Sequence, residues 1–351
     1  MTTPHNIYIH VPYCASKCDY CAFHSVACNP DWPGYADKII SEIKYWGERL
    51  NHSAAPTIFF GGGTPSLMPT NVFIKIMDAI RTNFNVLPDV EITLESNPGT
   101  LDAARLREFI DAGVNRLSVG VQSLNDDELK FLGRRHTAAD AIKLIEIAHN
   151  ERMRVSGDFI YALPNQTVSD IEKMCHGILN LNLKHASIYE LSIEPGTPLA
   201  ARGIQKIDNE LSAEMYETIG RIMLPRYEIS NYAVPGFECR HNQNIWNGDA
   251  YVGIGPSACG RPHINGVWYE QENEINPIDD KTRATEKVIT GLRTARGVAL
   301  TPDVINVINW DFVDANPNLF IRNNNLSLSS KGMLILDGLL VNLITDRGDN
   351  G

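Results

Sequence analysis

Short apolar, β-prone runs alternate with longer amphipathic stretches through the first 200 residues. The runs at 7–11, 57–60, 90–95, 116–121, 155–161 and 185–192 predict strands. Between them, 35–50, 71–83, 101–112, 138–150 and 169–181 repeat apolar positions at helical spacing. Strand-then-helix repetition at this period predicts an α/β fold with a parallel sheet. Six units suggest a partial (β/α)6 barrel, although counting does not separate it from an open doubly wound sheet. In either architecture ligands meet the C-terminal ends of the strands. Cys14, the segment 61–64, Glu95, Gln122 and Asp158 all fall at or near such ends.

The pattern changes after Pro195. Residues 209–224 read as a helix, and 227–246 as an irregular stretch rich in aromatic and polar side chains. Residues 251–259 are glycine-rich and too weakly periodic to assign. A helix is expected over 282–296, and a strand-like run followed by a helical one over 326–343. The expected division is a barrel over 1–200, a region closing it over 201–281, and a small C-terminal domain over 282–351.

Candidate chemistry is concentrated between Tyr8 and Phe23. Cys14, Cys18 and Cys21 stand at spacings of four and three directly after the first strand. Three thiolates on one short segment suit a cubane iron–sulfur cluster, leaving one iron open to a small-molecule chelator. Buried core cysteines or a zinc site are the alternatives, but no second cysteine pair follows to complete a zinc set. Cys28, Cys175 and Cys259 have no cysteine or histidine at ligand spacing and read as small hydrophobes.

Gly61-Gly62-Gly63-Thr64 follows the second strand and lets backbone amides approach a ligand. It lacks the Gly-Lys-Ser/Thr ending of a phosphate loop. Glu95 ends the third strand, where a carboxylate is placed for ribose hydroxyls; a solvated or salt-bridged surface carboxylate is the alternative. Gln122 and Asp158 occupy matching places on later strands. Arg134, after Leu132-Gly133, offers a guanidinium for a carboxylate, or it is an exposed basic turn. Cys239-Arg240-His241-Asn242-Gln243-Asn244-Ile245-Trp246 gathers thiol, cation, imidazole and indole, a set that suits haem iron and propionates. A polar loop closing the barrel around a satisfied histidine is the plainer reading of the same residues.

Composition narrows the class. The 31 basic and 42 acidic residues give a net charge of −11, which argues against a nucleic-acid partner. Seven cysteines without a signal-like N-terminus suggest reduced thiols and a cytoplasmic location. No stretch approaches the roughly 18 apolar residues of a membrane span, so an integral membrane protein is not expected.

Together these residues resemble the radical S-adenosylmethionine (SAM) family of oxygen-independent coproporphyrinogen III oxidases and their relatives. The Cys14-x3-Cys18-x2-Cys21 signature, Gly62, Gly63, Thr64, Glu95, Gln122, Arg134 and Asp158 match in order and spacing, as does Tyr8 six residues before the first cysteine. The resemblance implies a partial (β/α)6 radical SAM barrel with a small C-terminal winged-helix-like domain. It also implies a [4Fe–4S] cluster on the three cysteines and SAM bound by Tyr8 and the residues from Gly62 to Asp158. The oxidases of that family carry a fourth cysteine two residues after the third and a long N-terminal extension. Here position 23 is Phe and no long segment precedes Ile7. Both features point to the family's haem-chaperone branch, which also carries a His-Asn-x-x-Tyr-Trp motif. The segment 241–246 matches that motif except at Ile245, and Cys259 stands where relatives commonly have His. The expectation is therefore a chaperone, monomeric or homodimeric, that passes haem to a membrane or respiratory haem protein. His241 would face the haem, with Cys259 or Cys239 as competitors. The enzymatic alternative is radical decarboxylation of coproporphyrinogen propionates.

Overall fold

The computed structural model describes residues 2–345, so the end of the expected 282–351 domain and Met1 lie outside the described residues. Numbering the longer elements in chain order, the first part runs β1 (Asn6–Val11), α1 (Trp32–Arg49), β2 (Ala54–Gly62), α2 (Thr70–Asn83), β3 (Asn85–Ser96), α3 (Ala103–Asp111), β4 (Arg116–Gln122), α4 (Ala138–Asn150), β5 (Arg154–Tyr161), α5 (Val168–Asn180) and β6 (His185–Glu190). Then come α6 (Asn209–Ile222), β7 (Arg226–Glu228), β8 (Asn231–Ala233), α7 (Arg240–Trp246) and β9 (Tyr251–Ile254).

Local chemistry sets these boundaries. Asp31 caps α1 by accepting from the Gly34 amide, and α1 buries Tyr35, Ala36, Ile39, Ile43 and Trp46 along one stripe. Thr137 with Asp140, and Thr167 with Asp170, form reciprocal capping boxes that start α4 and α5. Strand residues split by face: Ile7, Ile9 and Val11 are buried on the helix side, while Tyr8 and His10 lie on the other.

The strands form one nine-stranded sheet in the order β9-β1-β2-β3-β4-β5-β6-β8-β7. Strands β1 to β6 pair in parallel in sequence order, and β9 extends the row in parallel beside β1. At the far edge β8 and β7 are antiparallel. The six expected strands and the helices between them are therefore present, in an open, mainly parallel sheet. The stretches 227–246 and 251–259, left irregular or unassigned by the sequence pattern, contain β7, β8, α7 and β9. Strands of three or four residues are too short for alternation to register.

The C-terminal part has its own core, with Val288, Leu292, Val304, Leu326 and Leu343 among its buried residues. It contains α8 (Asp280–Gly291) and a three-stranded sheet of β10 (Val298–Ala299), β11 (Leu319–Arg322) and β12 (Asn325–Leu328), with β12 in the middle. Helix α8 stops short of the expected 296. Gly291 packs so closely on Val298 that a Cβ there would meet it at 2.8 Å, and the chain turns back at Thr294 and Gly297.

Candidate functional site

The C-terminal ends of the strands open on a cavity of about 440 Å³, within the range of small-molecule and cofactor sites. Cys14, Cys18, Cys21, Gly62, Gly63, Glu95, Gln122, Arg134 and Asp158 all line it. The cysteine segment is pinned on two sides. Tyr13–Cys14 pairs in parallel with Val26–Ala27, and the Asp19 amide donates to Leu132 O at 3.1 Å. This places the three half-buried thiols along one side of the mouth.

Two of the sulfurs accept hydrogen bonds, as metal-bound thiolates do. Arg134 Nη1 donates to Cys18 Sγ at 3.3 Å, and Thr64 Oγ1 donates to Cys14 Sγ at 3.6 Å. The Arg134 guanidinium also donates through Nη2 to Asn97 Oδ1 and to Gly120 O at 2.8 Å. One cation thus ties the cysteine segment to the ends of β3 and β4. Among the described residues no three His, Cys, Asp or Glu side chains converge on a single-ion site. A cubane distributes three cysteines over three irons, so a spread set of thiols is what it requires.

The glycine segment belongs to the same wall. Gly62 has φ +112°, and a Cβ on it would collide with the His10 ring at 2.5 Å. A Cβ on Gly63 would lie 2.6 Å from Tyr13 O and 3.0 Å from Cys14 Sγ. Only glycine lets β2 run this close to the thiols. Thr64 is buried behind them, accepting from Asn97 Nδ2 at 2.9 Å.

Glu95 faces the cavity, accepting from the Gly62 amide at 3.1 Å. Burial and then the nearby Asp158 carboxyl push its pKa up to about 8. Asp158 is also raised, by burial first, although Ser118 Oγ donates to it at 2.9 Å. Two buried carboxyls near one another disfavour each other's ionisation, and a cation entering the cavity would favour it. Tyr8 does not line the cavity. It lies beneath Gly61, donates its OH to His10 Nδ1 at 3.1 Å, and has its pKa raised by burial. Gln122, with φ +66°, closes the end of β4 in the left-handed region.

His241 is elsewhere. It lies on α7 beneath the opposite, N-terminal ends of the strands and is 2% exposed. Thr57 Oγ1 donates to Asn6 Oδ1 at 2.7 Å, so His241 Nδ1 must donate to that hydroxyl, also at 2.7 Å. Its amide donates to Glu91 Oε1 at 3.0 Å, and its ring packs on Phe59 with centroids 5.1 Å apart. Burial, then Arg116, lowers its pKa to about 3. Cys239 is fully buried on the same carboxylate, and Asn244 Nδ2 also donates to Asn6. The structure thus places His241, expected to face haem, at the floor rather than in the cavity of the cysteines. The 239–246 segment packs against the barrel floor, where the His241 amide and Nδ1, the Cys239 thiol and the Asn244 amide bond within the protein, and His241 Nε2 has no hydrogen-bond partner among the described residues. Of the competitors, Cys239 shares that burial and Cys259 is exposed.

Asn97 and Tyr189 also line the cavity and were not singled out by sequence. Asn97 was recoverable, since two residues beyond Glu95 it points to the same face.

Residues 8–177 match the family model of the Radical SAM superfamily. Over 265 residues the chain is 35% identical to the Heme chaperone HemW of Escherichia coli (strain K12), covering 74% of this chain and 70% of that protein. It is 30% identical over 386 residues to the Radical S-adenosyl methionine domain-containing protein 1, mitochondrial, of Danio rerio, covering 97% and 87%. Among solved structures, the coproporphyrinogen III oxidase (HemN) from Escherichia coli, a radical SAM enzyme, aligns with a TM-score of 0.80 at 18% identity. That alignment covers 97% of this chain and 89% of the oxidase, and it establishes a shared fold.

Proposed function

The chain belongs to the radical SAM superfamily, in the family of HemW and its relatives, and we propose that it is a haem chaperone that carries haem to a recipient haem protein. In this reading Cys14, Cys18 and Cys21 hold a [4Fe–4S] cluster. Gly62, Gly63, Thr64, Glu95, Gln122, Arg134 and Asp158 surround SAM, with Tyr8 supporting them from beneath. The hydrogen-bonded sulfurs, the glycine cradle and the two protonatable carboxyls fit such an occupant. Bound together, cluster and SAM supply one-electron chemistry at the sulfonium.

The protein's own contribution is positional and electrostatic. Arg134 and Thr64 donate to the thiolates and so stabilise their charge. Glu95 and Asp158 are placed to ionise when a cationic ligand enters, because a positive charge offsets the burial that raises them.

The chaperone reading is carried by one observation. Identity to proteins named haem chaperones extends over about three quarters of the chain, whereas likeness to the coproporphyrinogen oxidase is one of fold. Phe23, where the resemblance expects a fourth cysteine in an oxidase, agrees with it. A cytoplasmic site of action and a monomeric or homodimeric state belong to the same proposal. No helix among the described residues is long and apolar enough to cross a membrane.

The test is anaerobic reconstitution with iron and sulfide, followed by haem titration and by incubation with coproporphyrinogen, SAM and a reductant. The expected result is saturable haem binding with coproporphyrinogen recovered unchanged. Decarboxylated product without haem binding would replace this reading with the oxidase one.

A further inference from the structure

His241 is only 2% exposed, so an accessible imidazole for haem is sought elsewhere on the surface. The segment after the third cysteine supplies one. From Tyr20 to Pro30 there is no charged residue, and Ala22, Phe23, His24, Val26, Ala27 and Cys28 are exposed. Phe23 is 69% exposed and Val26 45%. Single exposed apolar side chains are ordinary. Here, however, they flank an imidazole, and neither ring nitrogen of His24 has a hydrogen-bond partner among the described residues.

The segment is also held rather than loose. The Val26 amide donates to Pro12 O at 2.8 Å, and Val26–Ala27 pairs with Tyr13–Cys14. The His24 carbonyl accepts from His10 Nε2 at 2.8 Å, and Tyr8 OH donates to the other nitrogen of that ring. A chain of hydrogen bonds from the barrel wall therefore fixes the backbone that presents the free imidazole. Accessible nitrogen, adjacent phenyl face and uncharged surroundings are what an amphipathic iron porphyrin requires for axial ligation and apolar contact. Lys17, exposed on the rim of the neighbouring cavity, adds a cation for a propionate.

We propose that haem docks on this segment, with His24 as its axial ligand and Phe23 against the porphyrin face. The inference rests on the chaperone reading and names the site that reading lacks. It puts the cargo beside the cysteine segment, since the docking segment begins at Cys21.

The experiment titrates haem into the reconstituted full chain and into His24→Ala, Phe23→Ser, Cys28→Ser and His241→Ala, following the Soret band. Iron, sulfide and SAM affinity are measured on the same samples. His24→Ala should bind haem about tenfold more weakly or worse and lose the imidazole-ligated spectrum. Free imidazole should restore that spectrum, with cluster and SAM binding unchanged throughout. Phe23→Ser should weaken haem binding without changing the spectrum, and Cys28→Ser should do neither. Parent-like binding and spectrum in His24→Ala would overturn the site while leaving the chaperone reading intact. Loss of the ligated spectrum confined to Cys28→Ser or His241→Ala would move the ligand there, and a Phe23→Ser effect on SAM alone would assign that side chain to the cavity. A parent chain that takes up no haem would overturn both proposals.

Discussion

The two ends of the barrel are built from similar side chains and put them to opposite uses. At the floor Asn6, Thr57, Glu91, His241 and Asn244 bond one another, and α7 seals them from solvent. At the mouth Glu95, Asp158, Arg134 and three thiols face about 440 Å³ of open space, and the two carboxyls are raised, first of all by burial. A polar cluster at strand ends is therefore not by itself a binding site. What separates the two ends is open space: the floor cluster is packed under α7, whereas the mouth residues line a cavity.

The comparison predicts that the mouth can be emptied of function without loss of fold, and the largest effect follows from that. Replacing Cys14, Cys18 and Cys21 together with Ala should abolish iron and acid-labile sulfide in anaerobically reconstituted protein. The circular dichroism spectrum should be retained. Full iron content in the triple variant would remove the cluster from this segment.

The floor should behave in the reverse sense. Thr57→Val keeps the side chain's shape but deletes the hydroxyl that serves both Asn6 and His241, leaving buried groups short of partners. A loss of about 1–3 kcal/mol is expected for it, and about 2–4 kcal/mol for His241→Ala, which also leaves a void against Phe59. Denaturation in urea measures this, and iron content after reconstitution should match the parent. A floor variant with parental stability and a depleted cluster would erase the distinction between the two ends.

How much of this was legible in the sequence follows from the same distinction. The six parallel strands could be read because each is followed by a helix long enough to show its apolar stripe, as Ile39, Ile43 and Trp46 do in α1. The mouth could be read because its residues recur at one structural position, the strand end. Three-residue β7 and β8 and the short edge strand β9 carry no such period. The position of His241 at the floor could not be read from sequence for a deeper reason. A thiol, a cation and an imidazole in eight residues look the same whether they meet a ligand or Glu91 and Thr57. The partners lie some 150 and 184 residues away in the chain, and only the fold brings them together.

The smallest effect is one of pH, and the two ends contribute to it with opposite sign. Buried His241, with a pKa of about 3 against the ordinary 6.5, stays neutral when folded and takes a proton when unfolded below pH 6.5. Its contribution is lost as pH falls. Glu95, raised to about 8 from 4.5, keeps its proton when folded across a range in which the unfolded chain has released it. The folded state then binds more protons than the unfolded one, so stability declines as pH rises from about 4.5 to 8. Above pH 6.5 the histidine contribution is nearly constant and the carboxyl contribution remains. In cluster-free protein, the Glu95 contribution should therefore shrink between pH 6.5 and 8 by at most about 1.4 kcal/mol per pH unit. Urea denaturation reads it as the difference between parent and Glu95→Gln, because the other lowered histidines, His5, His10, His136 and His185 among them, contribute alike to both proteins. Glu95→Gln, which carries no titrating proton, should show a more positive slope of stability against pH than the parent, whereas His241→Ala should lower the whole curve with a slope in this window close to the parent's. Equal slopes in parent and Glu95→Gln would mean that Glu95 is ionised in the empty cavity, and the electrostatic contrast between mouth and floor would then rest on Asp158 alone.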